Sequence, residues 1–122
     1  MLKNLSWVAF FVGLFAIILL SVIPATVIPK LGLPLPEILR HMAAYAALAL
    51  AGGIACRSAR SLFILAAGLL LLGVGLELVQ ALLPSRDASG YELLANVAGA
   101  ALGFAAAILT NALIKKCPQI LG

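Results

Sequence analysis

Residues 62–76 read Leu-Phe-Ile-Leu-Ala-Ala-Gly-Leu-Leu-Leu-Leu-Gly-Val-Gly-Leu, and this apolar run continues past Glu77 to Leu83, where Pro84 stops it. A run of about 20 mostly apolar residues is long enough to cross about 30 Å of hydrocarbon as an α-helix. Residues 62–83 are therefore predicted to form a membrane-spanning helix.

The composition of the whole chain also indicates lipid as the solvent. Of 122 residues, 65% are hydrophobic and 10% are charged, and the mean hydropathy is +1.22. A soluble domain is about half apolar and about a quarter charged, so that class is excluded. The net charge of +4 comes from basic residues at the ends of apolar runs. This placement is typical of membrane flanks and predicts no nucleic-acid partner.

Three further apolar runs predict three more spanning helices, at residues 5–23, 36–56 and 91–114. The first run follows Lys3 as a signal peptide would, but it exceeds the 7 to 15 apolar residues of a signal core. Several prolines make residues 24–36 a connection without a helix. The fold class predicted is an all-α membrane protein, with residues 1–122 forming one compact bundle of four transmembrane helices. This length excludes a large transporter in one chain, so a transport role would need an oligomer or a partner.

The distribution of lysine and arginine predicts the orientation. One side of the bundle carries five of these residues: Lys3, Arg57, Arg60, Lys115 and Lys116. The other side carries three: Lys30, Arg40 and Arg86. The positive-inside rule then predicts that both termini are cytoplasmic and that the two loops of the other side face outward, in a multi-pass protein.

All four acidic residues, together with His41, Gln80 and Asn96, fall in or near the outward half. His41, Asn96 and Glu77 lie roughly 7 to 10 Å inside the helix ends. Residues spaced by three or four share a helix face. Three such stripes are present: Glu37, His41 and Tyr45; Glu77 and Gln80; Glu92, Asn96, Gly99 and Gly103. Because polar groups within a membrane are costly, they normally face protein or a wet cavity. The sequence thus predicts a polar cluster above a closely packed base.

Each of these residues has a structural reading beside the functional one. Gly99 and Gly103 favour close helix packing over a ligand role. Asn96 and Gln80 are equally compatible with hydrogen bonds between helices, and His41 with a packing role. Arg86 beside Asp87 could be a solvated loop pair. Glu77 is harder to explain structurally, since fifteen apolar residues precede it.

The cysteine and histidine content predicts neither a metal site nor a cofactor. Cys56 and Cys117 match no metal-binding or disulfide spacing, so both are predicted to be structural. The chain also lacks the glycine-serine elbow of a serine hydrolase.

A family resemblance rests on the polar residues of the third and fourth helices. The stretch from Glu77 to Gly99 resembles the signature of the VanZ-like membrane proteins. The residues of this stretch that carry the resemblance, besides its two ends, are Gln80, Pro84, Arg86, Ser89, Glu92 and Asn96. The segment Glu37-Ile-Leu-Arg-His41-Met-Ala-Ala-Tyr45 is similar to the Asp-Lys-x-x-His-x-x-x-Tyr segment of that family, with Glu37 in place of Asp and Ile38 in place of Lys. The resemblance extends from Pro36 to Gly103. It implies a small bacterial integral membrane protein of the kind linked to resistance against glycopeptides such as teicoplanin.

Three functional hypotheses remain open at this point. The leading one is an outward-facing pocket for the head group of a lipid or a lipid-linked envelope precursor. Its predicted ligand-binding residues are Arg40, His41, Tyr45, Glu77, Gln80, Arg86, Ser89, Glu92 and Asn96. The second is an enzyme that acts on such a lipid, with Glu77 and His41 as an acid-base pair. The third is an assembly or transport subunit that associates through the small residues of the fourth helix, as a homo-oligomer or with a partner.

Overall fold

A computed structural model of the chain describes residues 2–23, 36–56, 58–83 and 90–116. These residues form four α-helices: α1 (Leu2–Val22), α2 (Glu37–Ala55), α3 (Ala59–Ala81) and α4 (Gly90–Lys116). Each helix is long and apolar enough to cross a membrane. The predicted all-α architecture with four such helices is confirmed. Some predictions concern residues outside the described ranges. These are residues 24–35 of the predicted connection and the side chains of Lys30, Arg57, Arg86, Ser89 and Cys117.

The ends of α3 differ from the predicted residues 62 and 83 for local reasons. The helix begins earlier because Ser58 caps it, with its Oγ accepting a hydrogen bond of 3.1 Å from the Ser61 N–H. Such a cap satisfies one of the free amides of the first turn. The helix ends at Ala81 because Pro84 disfavours helical geometry at the residue before it.

The other three helices also differ from their predicted bounds by a few residues. Helix α1 begins at Leu2 rather than residue 5, so its polar flank is helical as well. Helix α2 is one residue shorter than predicted at each end. Helix α4 extends to Lys116, with Lys115 and Lys116 in its last turn. Positive charges there complement the negative end of the helix dipole.

Helix α2 is the central element, packing most extensively against α4 and next against α1. Two glycines of α4 allow this close approach. A Cβ atom at Gly99 would collide with the backbone carbonyl of Met42, and one at Gly103 with the carbonyl of Ala46. Gly99 and Gly103, on the small-residue face of α4, are therefore covered by α2 within the chain.

The core and the outer surface follow the pattern of a helical bundle in lipid. Buried apolar side chains between the helices are Phe10, Leu48, Ala49 and Leu69. Large apolar side chains cover the outer faces of α1 and α3, where Phe15 and Leu71 are exposed. Because lipid is as apolar as these side chains, such a surface is compatible with membrane burial.

The helix directions bring four helix ends together at one end of the bundle. These are the C-terminus of α1, the N-terminus of α2, the C-terminus of α3 and the N-terminus of α4. We call this the polar end, because Glu37, Glu77 and Glu92 all lie there. Arg60 and Lys115 lie at the opposite end, in the first turn of α3 and the last turn of α4.

Candidate functional site

A cleft of about 90 Å³ opens at the polar end between α1, α2 and α3, with Asn96 of α4 reaching into it. Its apolar wall includes Ile17, Leu20 and Leu76. We call this site the polar cleft, after the polar side chains that line it: Glu37, Arg40, His41, Tyr45, Glu77, Gln80 and Asn96.

Helix α2 supplies the largest share of these groups because its polar residues repeat at helical spacing. Glu37, His41 and Tyr45 are four residues apart and so lie along one face. The first turn holds this face in place, since the Arg40 N–H donates to the Pro36 carbonyl at 3.0 Å. The stripe predicted from the sequence therefore faces the polar cleft.

His41 faces two residues of α4 and forms a hydrogen bond with one of them. Its Nδ1 lies 3.0 Å from the Asn96 Oδ1. An amide oxygen only accepts hydrogen bonds, so Nδ1 is the donor in this pair. Its Nε2 lies 3.9 Å from the Glu92 Oε2, a distance too long for a hydrogen bond. Asn96 is 5% exposed, so this pairing fixes the orientation of the imidazole ring inside the protein.

Three of the chain's four acidic residues meet beside His41. The carboxyl group of Glu92 interacts with those of Glu37 and Glu77, and Glu92 is only 5% exposed. Glu37, His41 and Glu92 each offer a ligand atom, and these atoms all lie within 4.8 Å of one another. Of the three acidic residues, only Glu92 is buried. Carboxyl groups this close together are stabilised by protons or by a positive charge, because like charges repel at close range and burial strengthens the effect.

Tyr45 and Gly73 form the floor of the polar cleft. Tyr45 is 3% exposed. A Cβ atom at Gly73 would lie 3.2 Å from the Asn96 Nδ2 and 3.5 Å from the Tyr45 hydroxyl. The absence of a side chain at Gly73 therefore leaves room for both polar groups. Sequence reasoning missed this residue, because a glycine in an apolar run carries no signal of what packs against it.

Gln80 connects the cleft to α1. Its Nε2 donates a hydrogen bond of 3.3 Å to the Ser21 carbonyl, and Gln80 is 3% exposed. Asn96 and Gln80 thus both bond to a neighbouring helix, which is one of the two readings that the sequence left open. Both also line the polar cleft.

The structure brings most of the predicted site residues together. Seven of them meet at the polar end: Arg40, His41, Tyr45, Glu77, Gln80, Glu92 and Asn96. Glu37 joins them there as an eighth residue. Glu37 was noted in the α2 stripe but not counted among the ligand-binding residues. Its four-residue spacing from His41 was the available signal. Arg86 and Ser89 lie outside the described residues.

The protein is a bundle of four helices, each long and apolar enough to cross a membrane, with a polar cleft at one end. Comparisons with protein-family models, with curated proteins and with solved structures found no match to this chain. The resemblance to the VanZ-like proteins therefore stays a prediction.

Proposed function

We propose that this chain is a multi-pass protein of a bacterial cytoplasmic membrane that binds the head group of a lipid or a lipid-linked cell-envelope precursor. Both termini would be cytoplasmic, so that the polar cleft faces outward. The VanZ-like motif supports this proposal and links it to resistance against glycopeptides such as teicoplanin.

The observation that carries the proposal is the composition of the cleft wall. Charged and neutral polar groups lie beside Ile17, Leu20 and Leu76. This combination suits an amphiphile, whose charged head can meet the polar groups while its apolar chain lies against the leucine and isoleucine side chains. Leu20 is 39% exposed on the outer face of α1, so the apolar side of the cleft continues onto the surface that lipid chains would cover.

Arg40 would be the main anchor for an anionic head group. A guanidinium offers planar, bidentate donors that match phosphate or carboxylate oxygens. Neutral hydrogen bonds would come from Tyr45, Gln80 and Asn96, while Glu77 and Glu92 would hold the basic groups in position. Arg86 and Ser89, which the sequence predicts as further ligand residues, belong to the segment between α3 and α4.

The test compares two arginines at opposite ends of the bundle. Arg40→Gln should weaken the binding of a short polyprenyl phosphate and of phosphatidylglycerol by about 10- to 100-fold, because a hydrogen-bonded charge pair contributes about 1.5 to 3 kcal/mol. Arg60→Gln, at the opposite end, should bind as the wild type does. Native mass spectrometry in mild detergent measures both. Equal lipid binding by all three proteins would refute the role of Arg40.

A second candidate is an enzyme that acts on such a lipid. The observation in its favour is that Asn96 holds His41 in one orientation with Nε2 facing a buried carboxyl group, as a general acid or base requires. The imidazole of His41 contacts Asn96 and Glu92, and Glu77, its predicted acid-base partner, lines the same cleft. The test compares the wild type with Glu77→Gln on a labelled lipid pool. A wild type that converts the lipid, and a variant that still binds it but does not convert it, would favour this candidate.

A further inference from the structure

We propose that Glu37, His41 and Glu92 form a binding site for a divalent metal ion at the polar end of the bundle. The inference goes beyond the lipid-binding proposal and does not depend on it. The sequence alone predicts no metal site, because the three ligands come from two helices and follow no ligand-spacing motif.

The separation of the ligand atoms fits one shared ion. The three ligand atoms lie within 4.8 Å of one another, and the His41 Nε2 is 3.9 Å from the Glu92 Oε2. Two atoms that bind the same ion at about 2.1 Å lie about 3 to 4.2 Å apart. The observed pair is within that range, and the widest separation in the set, at most 4.8 Å, exceeds it by no more than about 0.6 Å.

The hydrogen bond to Asn96 prepares His41 to act as a ligand. With Nδ1 donating to the Asn96 Oδ1 at 3.0 Å, a neutral imidazole has its lone pair on Nε2, the atom that faces Glu92. Metal-binding histidines generally donate their other ring N–H in this way, which fixes both the tautomer and the ring orientation. Asn96 is thus a positioning residue for the proposed ion.

Two buried polar atoms at the polar end have no hydrogen-bond partner among the described residues. Glu92 is 5% exposed, and within the part of the chain that the structure describes its Oε2 has no hydrogen-bond partner. The Tyr45 hydroxyl, at 3% exposure, likewise has none among the described residues. Leaving such a group unsatisfied costs about 1 to 3 kcal/mol and more for a charge. A cation bound to the Glu92 Oε2 would satisfy that atom and remove its share of the cost.

The ligand types indicate which ions fit. Carboxylates suit manganese and magnesium, and imidazole suits zinc, iron and nickel. Two carboxylates with one imidazole match Mn²⁺, Fe²⁺ or Zn²⁺ better than Ca²⁺, which prefers oxygen ligands only. Glu77, in contact with Glu92, would accept hydrogen bonds from water on the ion or take a fourth position.

The experiment measures Mn²⁺ binding to the full chain in detergent, without added lipid, by electron paramagnetic resonance. We expect one Mn²⁺ per chain and a nitrogen coupling from imidazole in the pulsed spectrum. The coupling should disappear in His41→Gln, and the affinity should fall at least tenfold in Glu92→Gln and in Glu37→Gln. Glu37 is exposed, so its variant provides a test even where a buried substitution disturbs folding.

Asn111 provides the matched control for Asn96. Each of these two α4 asparagines forms a hydrogen bond to α2, one at each end of the bundle. Asn96→Ala should weaken Mn²⁺ binding about 10- to 100-fold, as loss of an outer hydrogen-bond partner does. Asn111→Ala removes the bond of 3.1 Å to the Gly53 carbonyl at the opposite end and should leave binding unchanged. Failure of the wild type to bind Mn²⁺, binding without nitrogen coupling, or equal losses in both asparagine variants would overturn the proposal. Each of these results leaves the lipid-binding test unaffected.

Discussion

Gly99→Ala should lower the free energy of unfolding by about 3 kcal/mol or more, the upper part of the range for overpacked sites. The added methyl group would collide with the Met42 carbonyl, which belongs to the backbone of α2 and cannot rotate away as a side chain can. The two helices must therefore separate along their interface. Since α2 and α4 form the largest contact of the bundle, the whole fold should weaken.

Gly68→Ala is the matched control for this substitution. Gly68 lies in α3, and a Cβ atom there meets nothing within 4 Å. Its stability should stay within about 1 kcal/mol of the wild type, because alanine also has the higher helix propensity. Unfolding in a series of sodium dodecyl sulfate concentrations, followed by circular dichroism, measures both variants. If the two variants are equally stable, α2 and α4 are not close enough at Gly99 for a methyl group to collide with the Met42 carbonyl.

Ala44→Phe should reduce lipid binding at least 100-fold without removing any polar group. Ala44 lines the polar cleft, and a phenyl ring there takes the space that a head group would need. The cleft has a volume of only about 90 Å³, so an aromatic ring leaves little of it free. Native mass spectrometry with polyprenyl phosphate measures the loss.

The neighbouring alanine separates this steric effect from the general effect of adding an aromatic ring to α2. Ala43 is exposed and does not line the cleft. Ala43→Phe should therefore bind lipid as the wild type does. If both variants bind equally well, the head group lies elsewhere on the protein.

The number and class of the helices could be predicted from the sequence because they depend on the length of apolar runs alone. A run of about 20 apolar residues is long enough to cross a bilayer as one helix. The helix ends were less predictable, since they depend on local bonds. The cap at Ser58 is one example, because a serine before an apolar run is too common to settle a boundary.

The polar end could be predicted in outline and not in its pairings. Depth placed His41, Asn96 and Glu77 at a similar level, and four-residue spacing placed Glu92 on the same face as Asn96. Which nitrogen of His41 faces which partner depends on the rotation of α2 against α4. That rotation is set by glycines whose packing partners are 50 or more residues away along the chain. The convergence of Glu37 with Glu92 follows from the same rotation, and the sequence therefore did not indicate a metal site.

The most direct test of the central claim, that the polar cleft binds a lipid head group, is photo-crosslinking with a polyprenyl phosphate that carries a diazirine next to its phosphate. Mapped by peptide sequencing, the crosslinks should concentrate in residues 37–45 and 76–80. They should be lost in Ala44→Phe and retained in Ala43→Phe. Crosslinks spread over the outer faces of α1 and α3, with the same yield in both variants, would contradict the claim.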